Sequence, residues 1–214
     1  MAGILLAASG VEPLSAKDEP PGEQASEVQA HLRDLSHADY QVRWKALDAL
    51  AKLGPNAAPA VPALIQRLES EDRYRVIGVL GAIGPSAASA APALLNCLAH
   101  TLSIEDKLYR DESTEAIAII ETLVKIGATG SDTVRLLRKA LKDQVSTIRY
   151  FSAHALGEIG PNAHAAIPDL EALLNDHEYI GLYEYPYGKD VADIADRTLE
   201  KLREQSASDA AKMN

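Results

Sequence analysis

The chain has one cysteine, one tryptophan and one phenylalanine in 214 residues, and each scarcity narrows what it can be. A single thiol, Cys97, cannot form an intramolecular disulfide, and its place at an apolar or small helix position reads as a buried thiol rather than a reactive one. With few aromatics, Ala and Leu dominate the apolar residues, a balance that suits close helix-on-helix packing better than a β-sandwich. No run of about 18 apolar residues is present, which argues against a membrane-spanning helix. Positive charge is short as well: 21 Lys and Arg stand against 31 Asp and Glu, for a formal net charge of -10. Such a chain repels phosphate backbones, so nucleic acid is not an expected partner. Catalytic signatures are missing too, with no Ser-His-Asp or Cys-His spacing and no paired cysteines. Gly78, Gly81 and Gly84 lack a preceding strand and read as helix residues and a cap, not a phosphate-binding loop.

What is present is a repeat. Apolar residues make up 47% of the chain, enough for a continuous core, and one phrase recurs three times with the same spacing. Its copies are Leu53-Gly54-Pro55 with Ala57, Ala60, Pro62, Leu64 and Leu68; Ile83-Gly84-Pro85 with Ala87, Ala90, Pro92, Leu94 and Leu98; and Ile159-Gly160-Pro161 with Ala163, Ala166, Pro168, Leu170 and Leu174. A degenerate fourth, Ile126-Gly127-Ala128 with Gly130, Leu137 and Leu141, lacks both prolines. Gly takes the left-handed conformation that ends a helix A, and the next Pro prevents its continuation. The second Pro falls in the first turn of helix B, where its missing N–H costs no hydrogen bond.

Upstream of each Gly, apolar residues fall at helical spacing: Val42, Ala46, Ala49, Leu50 and Leu53 in the first repeat, and Ile148, Ala153, Leu156 and Ile159 in the last. Val61, Leu64, Ile65 and Leu68 do the same for helix B. Each unit thus carries two apolar stripes that it cannot bury alone, so neighbouring units must cover them.

At the N-terminal side Val28, Leu32 and Leu35 read as a lone helix B capped by Ser26, with Gln29 three residues on. At the other end Asp190 opens a helix with Val191, Ala195, Leu199 and Leu202, the helix A of a fifth unit. Residues 1–25 are expected to be a disordered leader, acidic and Pro-rich around Pro20 and Pro21. Residues 26–204 form the repeat array, and 205–214 a polar tail. The segment Gly3 to Gly10 reads like the end of a secretory h-region but lacks a basic n-region. The compartment therefore stays open between the cytoplasm and export from a truncated signal peptide.

The Gly-Pro-x-Ala phrase, together with Val42-Arg43 and Ile148-Arg149 at the start of helix A, resembles the bacterial HEAT-like repeats of the type found in phycobilin lyases, over about residues 26 to 204. The resemblance implies an α-solenoid whose B helices line the concave surface. It also implies an Asp just before helix A, here Asp39 or Asp143, facing the Arg. Function is implied loosely, since the same phrase serves scaffolds, regulators and a few enzymes.

The period is broken twice. Gly54 to Gly84 is 30 residues and Gly127 to Gly160 is 33, whereas Gly84 to Gly127 is 43, and 43 again leads from Gly160 to the fifth slot at Arg203. A duplicated pair of repeats explains this alternation, and it places both insertions on the edge that connects helix B to the next helix A. The first insertion runs through His100, Glu105, Asp106, Tyr109, Arg110, Asp111 and Glu112. The second runs through His177, Glu178, Tyr179, Tyr183, Glu184, Tyr185, Tyr187 and Asp190. Insertions in a solenoid concentrate on a binding face, and Tyr buries area while its hydroxyl keeps a partner. The alternative is that these segments pack back over the core.

Arg135, Arg138, Lys139 and Lys142 make a basic helical stripe on an acidic chain, which receives an acidic partner, is simply a solvated face, or is neutralised by the protein's own acidic loops. The register places Gln66, Ser70, Asn96, His100, Lys139, Asp143 and Asp176 along the B-helix surface. A surface whose chemistry changes from repeat to repeat reads a partner; a metal or active site would need convergent ligands. His100 with Glu105 and Asp106, and His177 with Glu178, carry the imidazole and carboxylate groups that such a site would need. His154 falls at a variable position of helix A and reads as surface.

The expectation is an all-α protein, an α-solenoid of about four two-helix repeats with a half repeat at each end, that binds another protein and uses no cofactor, metal or catalytic residue. Candidate partner-binding residues are Gln66, Asn96, His100, Tyr109, Arg135, Arg138, Lys139, Lys142, Tyr179, Tyr183, Tyr185 and Tyr187. The resemblance leaves a second reading, a lyase-like or metal-dependent modifying protein similar to phycobilin lyases or deoxyhypusine hydroxylases.

Overall fold

A computed structural model describes residues 21–104, 110–178, 180 and 190–212. Ten α-helices run through them: α1 (Pro21–Asp34), α2 (Tyr40–Leu53), α3 (Val61–Arg67), α4 (Arg73–Ile83), α5 (Ala91–Ser103), α6 (Arg110–Lys125), α7 (Ser131–Ala140), α8 (Ser146–Ile159), α9 (Ile167–Glu171) and α10 (Val191–Lys212). The described residues contain no β-strand. The segment Gly3 to Gly10 lies outside them. Helix α1 starts at Pro21, a residue suited to a first helical position, so Ser26 sits inside the helix rather than capping it.

Two rows result. Helices α2, α4, α6, α8 and α10 pack each on the next, and α3, α5, α7 and α9 each pack against the following member of that row. Register explains why. Four residues before each glycine stand Leu50, Leu80, Leu123 and Leu156, and seven before stand Leu47, Ile77, Ile120 and Ala153, all at most 1% exposed. Ten after each glycine stand Leu64, Leu94, Leu137 and Leu170, at 0%. Each such leucine removed from water contributes about 2 kcal/mol. The buried stripe of α2 is Ala46, Leu47 and Leu50, whereas Val42, Ala49 and Leu53 are only half-buried. Cys97 is half-buried, and burial pushes its thiol up.

The recurrent phrase is more than a turn. Gly54–Ala60, Gly84–Ala90 and Gly160–Ala166 are each a 3-10 helix. Its three-residue turn stacks Ala57 on Ala60, Ala87 on Ala90 and Ala163 on Ala166, and all six are fully buried. The glycines cap the preceding helices at positive φ, +54° to +74°. Where the prolines are missing the 3-10 helix is missing too. After Gly127, Ala128 N–H closes on Leu123 O at 2.9 Å and α7 starts at Ser131.

A second periodicity supports the duplicated pair. Thr122 Oγ1 in α6 donates to the Ile77 carbonyl of α4 at 3.2 Å, and Thr198 Oγ1 in α10 donates to the Ala153 carbonyl of α8 at 3.1 Å. Each threonine lies against a glycine of the facing helix, Gly81 and Gly157. The same close approach thus occurs at both long spacings.

Residues 73–103 are long and apolar enough to pass for a membrane span. The 3-10 helix at Gly84–Ala90 divides them into α4 and α5, 11 and 13 residues long, each short of the roughly 20 that cross a bilayer.

Candidate binding face

Helices α5 and α7 lie side by side, because the short turn after Gly127 brings α7 directly alongside its predecessor. Between them runs a cleft of about 250 Å³ lined by Pro92, Leu95, Asn96 and Ala99 from α5 and by Asp132, Arg135 and Leu136 from α7. It brings two of the candidate residues, Asn96 and Arg135, to one apolar-floored groove. Twelve residues after each glycine the same register position carries Gln66, Asn96, Lys139 and Ala172, all exposed. His100 is exposed in the last turn of α5, outside the cleft. Tyr109, Tyr179, Tyr183, Tyr185 and Tyr187 lie outside the described residues.

The basic stripe of α7 is largely matched. Arg135 pairs with Asp132 of its own helix at 3.0 Å. Arg138 Nε and Lys142 Nζ meet the two oxygens of Asp169 in α9 at 2.6 and 2.8 Å. Burial would raise the Asp169 carboxyl, but Lys142 and Arg138 outweigh it and hold the carboxyl below its ordinary value. Lys139 is exposed with no ion-pair partner among the described residues. Among the described residues, then, the neutralising acids sit on helices α7 and α9.

Two arginines at the start of the first-row helices anchor neighbouring repeats. Arg43 Nε donates to Asp72 Oδ2 at 2.7 Å, its Nη1 to the His37 and Ala38 carbonyls, and its Nη2 to Glu71. Arg149 repeats the pattern with Asp176, the Asp143 and Gln144 carbonyls, and Glu178. These acids close the following helix B, so the Asp39 and Asp143 carboxylates are not the arginines' partners. Asp39 instead accepts from Gln41 N–H at 2.8 Å and Asp143 from Val145 N–H at 3.0 Å. Each of these carboxylates is turned to the backbone N–H two residues on, closing a local turn at the helix start.

Burial would raise the Asp72 and Asp176 carboxyls, yet the arginine hydrogen bonds hold both below the ordinary range. Asp176 is therefore an anchor rather than a free groove residue. His177 Nδ1 turns to Asp190 Oδ2 at 3.2 Å while Glu178 goes to Arg149, so the two neighbours point to different partners. His154 is half-exposed between α6 and α8, beside Glu121 and Phe151.

Sequence reasoning passed over a second feature. The dipeptides Arg43-Trp44, Arg73-Tyr74 and Arg149-Tyr150 occupy one register, and Arg73 too reaches an acid, Glu115 of α6, at 3.1 Å. Trp44 and Tyr74 are 37% and 53% exposed, while Tyr150 is fully buried. An arginine followed by an aromatic in three first-row helices is the signal that could have found them.

No curated protein matches the chain. Among solved structures it is similar to the complex of CpcE and CpcF of phycocyanin lyase from Nostoc sp. PCC7120, at 18% identity over 94% of this chain and 100% of that one, with a TM-score of 0.37. The HEAT repeats family matches residues 29–118 and 105–180, the span that holds the capped two-helix units, their buried leucine register and the arginine anchors. The chain belongs to the HEAT repeats family.

Proposed function

We propose that this chain is a scaffold that grips one partner protein through its second row of helices and through the two tyrosine-bearing inter-repeat segments. The cleft between α5 and α7 carries the reading: an apolar floor of Pro92, Leu95, Ala99 and Leu136 with Asn96, Asp132 and Arg135 as polar groups around it. An apolar centre with a polar surround is how protein interfaces are built. The outward side chains change from Gln66 to Asn96 to Lys139 along one register position, which suits recognition of a surface without internal repetition. A standard interface needs about 800 Å² on each side, which a row of helices of this length supplies.

The test is retention of proteins from a lysate of the source cells, quantified by mass spectrometry. The baits are the wild type, the Asn96→Arg/Arg135→Glu double variant and the Tyr183→Ala/Tyr185→Ala double variant. A partner that needs this face is retained roughly tenfold less by the first variant, at unchanged circular dichroism. Equal retention by the wild type and the Asn96/Arg135 variant overturns the reading. An unfolded tyrosine variant assigns those side chains to core packing instead.

A further inference from the structure

The first-row side of the N-terminal repeats holds a second, separate recess. Ala38, Tyr40, Arg43, Trp44, Glu71 and Asp72 line an open cleft of about 440 Å³. Its aromatic wall is fixed in place. Trp44 Nε1 donates to Asp72 Oδ1 at 2.9 Å, and the Tyr40 ring meets Trp44 edge-on with centroids 4.8 Å apart. The Trp44 ring already accepts one cation, the Arg75 guanidinium, 4.1 Å from its centroid, and Arg75 is not part of the cleft lining. Asp72 is shared by Arg43 and, at 3.5 Å, by Arg67, which leaves Glu71, held on one side by Arg43, as the acid at the rim. Asp72 is buried beneath Arg43, while the Glu71 side chain is 77% exposed. Aromatic residues at this register are buried in the fourth repeat, at Tyr150, but bare here.

We propose that this cleft takes an arginine or lysine side chain from a basic segment of a partner protein. The cation would lie against the Tyr40–Trp44 pair with Glu71 as its counter-charge. Aromatic faces attract cations through their quadrupole, and a rigid ring loses little freedom on binding. The net charge of -10 on the whole chain draws in a basic segment and repels an acidic one. This surface is distinct from the α5–α7 cleft, so the two readings stand or fall separately.

Trp44 is the only tryptophan, so its emission reports on the cleft. The full chain is titrated with an Arg-Gly repeat peptide and with a Glu-Gly repeat peptide, at low and at physiological salt. The Arg-Gly peptide should change Trp44 emission saturably and the Glu-Gly peptide should not. Calorimetry with the Glu71→Gln and Tyr40→Ala variants should show binding weakened about fivefold each. Glu200→Gln, which removes an equal charge from the exposed side of α10, should leave it unchanged. No emission change with the Arg-Gly peptide overturns the proposal. So does a Glu200→Gln loss equal to that of Glu71→Gln, which would mean general charge attraction only. Tyr40 is half-exposed, so its truncation keeps the fold and tests the cleft even if Glu71→Gln perturbs Arg43.

Discussion

Arg149 Nε in the first turn of α8 donates to Asp176 Oδ2 at 2.7 Å, in the turn that follows α9. One helix start is thereby tied to the close of the next helix B, and Arg43 with Asp72 makes the same tie at the same distance in the first repeat. Both aspartates are largely buried, so removing the carboxylate leaves charged donors without their acceptor. Asp72→Asn and Asp176→Asn should each lower stability by about 2 kcal/mol. Chemical denaturation checks this, with Asp132→Asn, an exposed i,i+3 partner of Arg135, as a control expected to lose less than about 0.5 kcal/mol.

The same pairs set the acid limb of stability. The Asp72, Asp169 and Asp176 carboxyls titrate below their ordinary value in the folded chain. As pH falls, the unfolded chain therefore takes up protons first. Their contribution is fully present above the unfolded value of about 3.9 and is lost as pH falls from there through the folded values. Unfolding free energy measured from pH 6 down to pH 3 should drop more steeply for the wild type than for Asp72→Asn. Parallel curves would show that the carboxylate is not coupled to folding.

Three glycines separate space from conformation. A Cβ at Gly78 in α4 meets nothing within 4 Å, so Gly78→Ala should stabilise by about 0.5 to 1 kcal/mol through the unfolded chain's lost freedom. A Cβ at Gly81 would lie 3.0 Å from Thr122 Oγ1, and one at Gly157 would lie 3.1 Å from Thr198 Oγ1. Both threonines are buried and stiff at χ1, so they cannot yield without losing their bonds to α4 and α8. Gly81→Ala and Gly157→Ala should therefore destabilise, and Thr122→Ala should relieve the first. Thermal unfolding of the single and double variants gives the comparison.

Lys139 and Asp169 separate surface charge from structure. Lys139 is exposed, and Lys139→Glu should change stability by less than about 0.5 kcal/mol. Asp169 is 11% exposed and holds both Arg138 and Lys142, so Asp169→Asn should cost more than Lys139→Glu. Denaturant midpoints measured side by side decide it.

Much of the fold could be read from the sequence because glycine, proline and the leucine period act locally. Gly54, Gly84 and Gly160 end helices where the phrase places the ends, and Leu64, Leu94 and Leu170 are buried where the period puts them. The 3-10 helices could have been read too, since Ala57 and Ala60 are spaced by its three-residue turn. The arginine partners could not. Asp39 is near Arg43 in sequence, but Asp72 is brought to it only when the second repeat docks. Leu174 marks a similar limit: it matches Leu68 and Leu98 in the phrase, yet α9 ends at Glu171 and Leu174 is 38% exposed. Of the candidate residues, Asn96 and Arg135 share a cleft, whereas Arg138 and Lys142 converge on Asp169, a pairing that no spacing within α7 announces.

A stack in which each unit covers only its neighbours should lose order locally when one end is broken. Hydrogen exchange on the Leu199→Asp variant tests this, because Leu199 is fully buried in α10 against the end of the row. Amides of α8 to α10 should exchange fast while those of α2 and α4 keep their wild-type protection. Uniform loss of protection from α2 to α10 would contradict a linear stack and mean a single closed core.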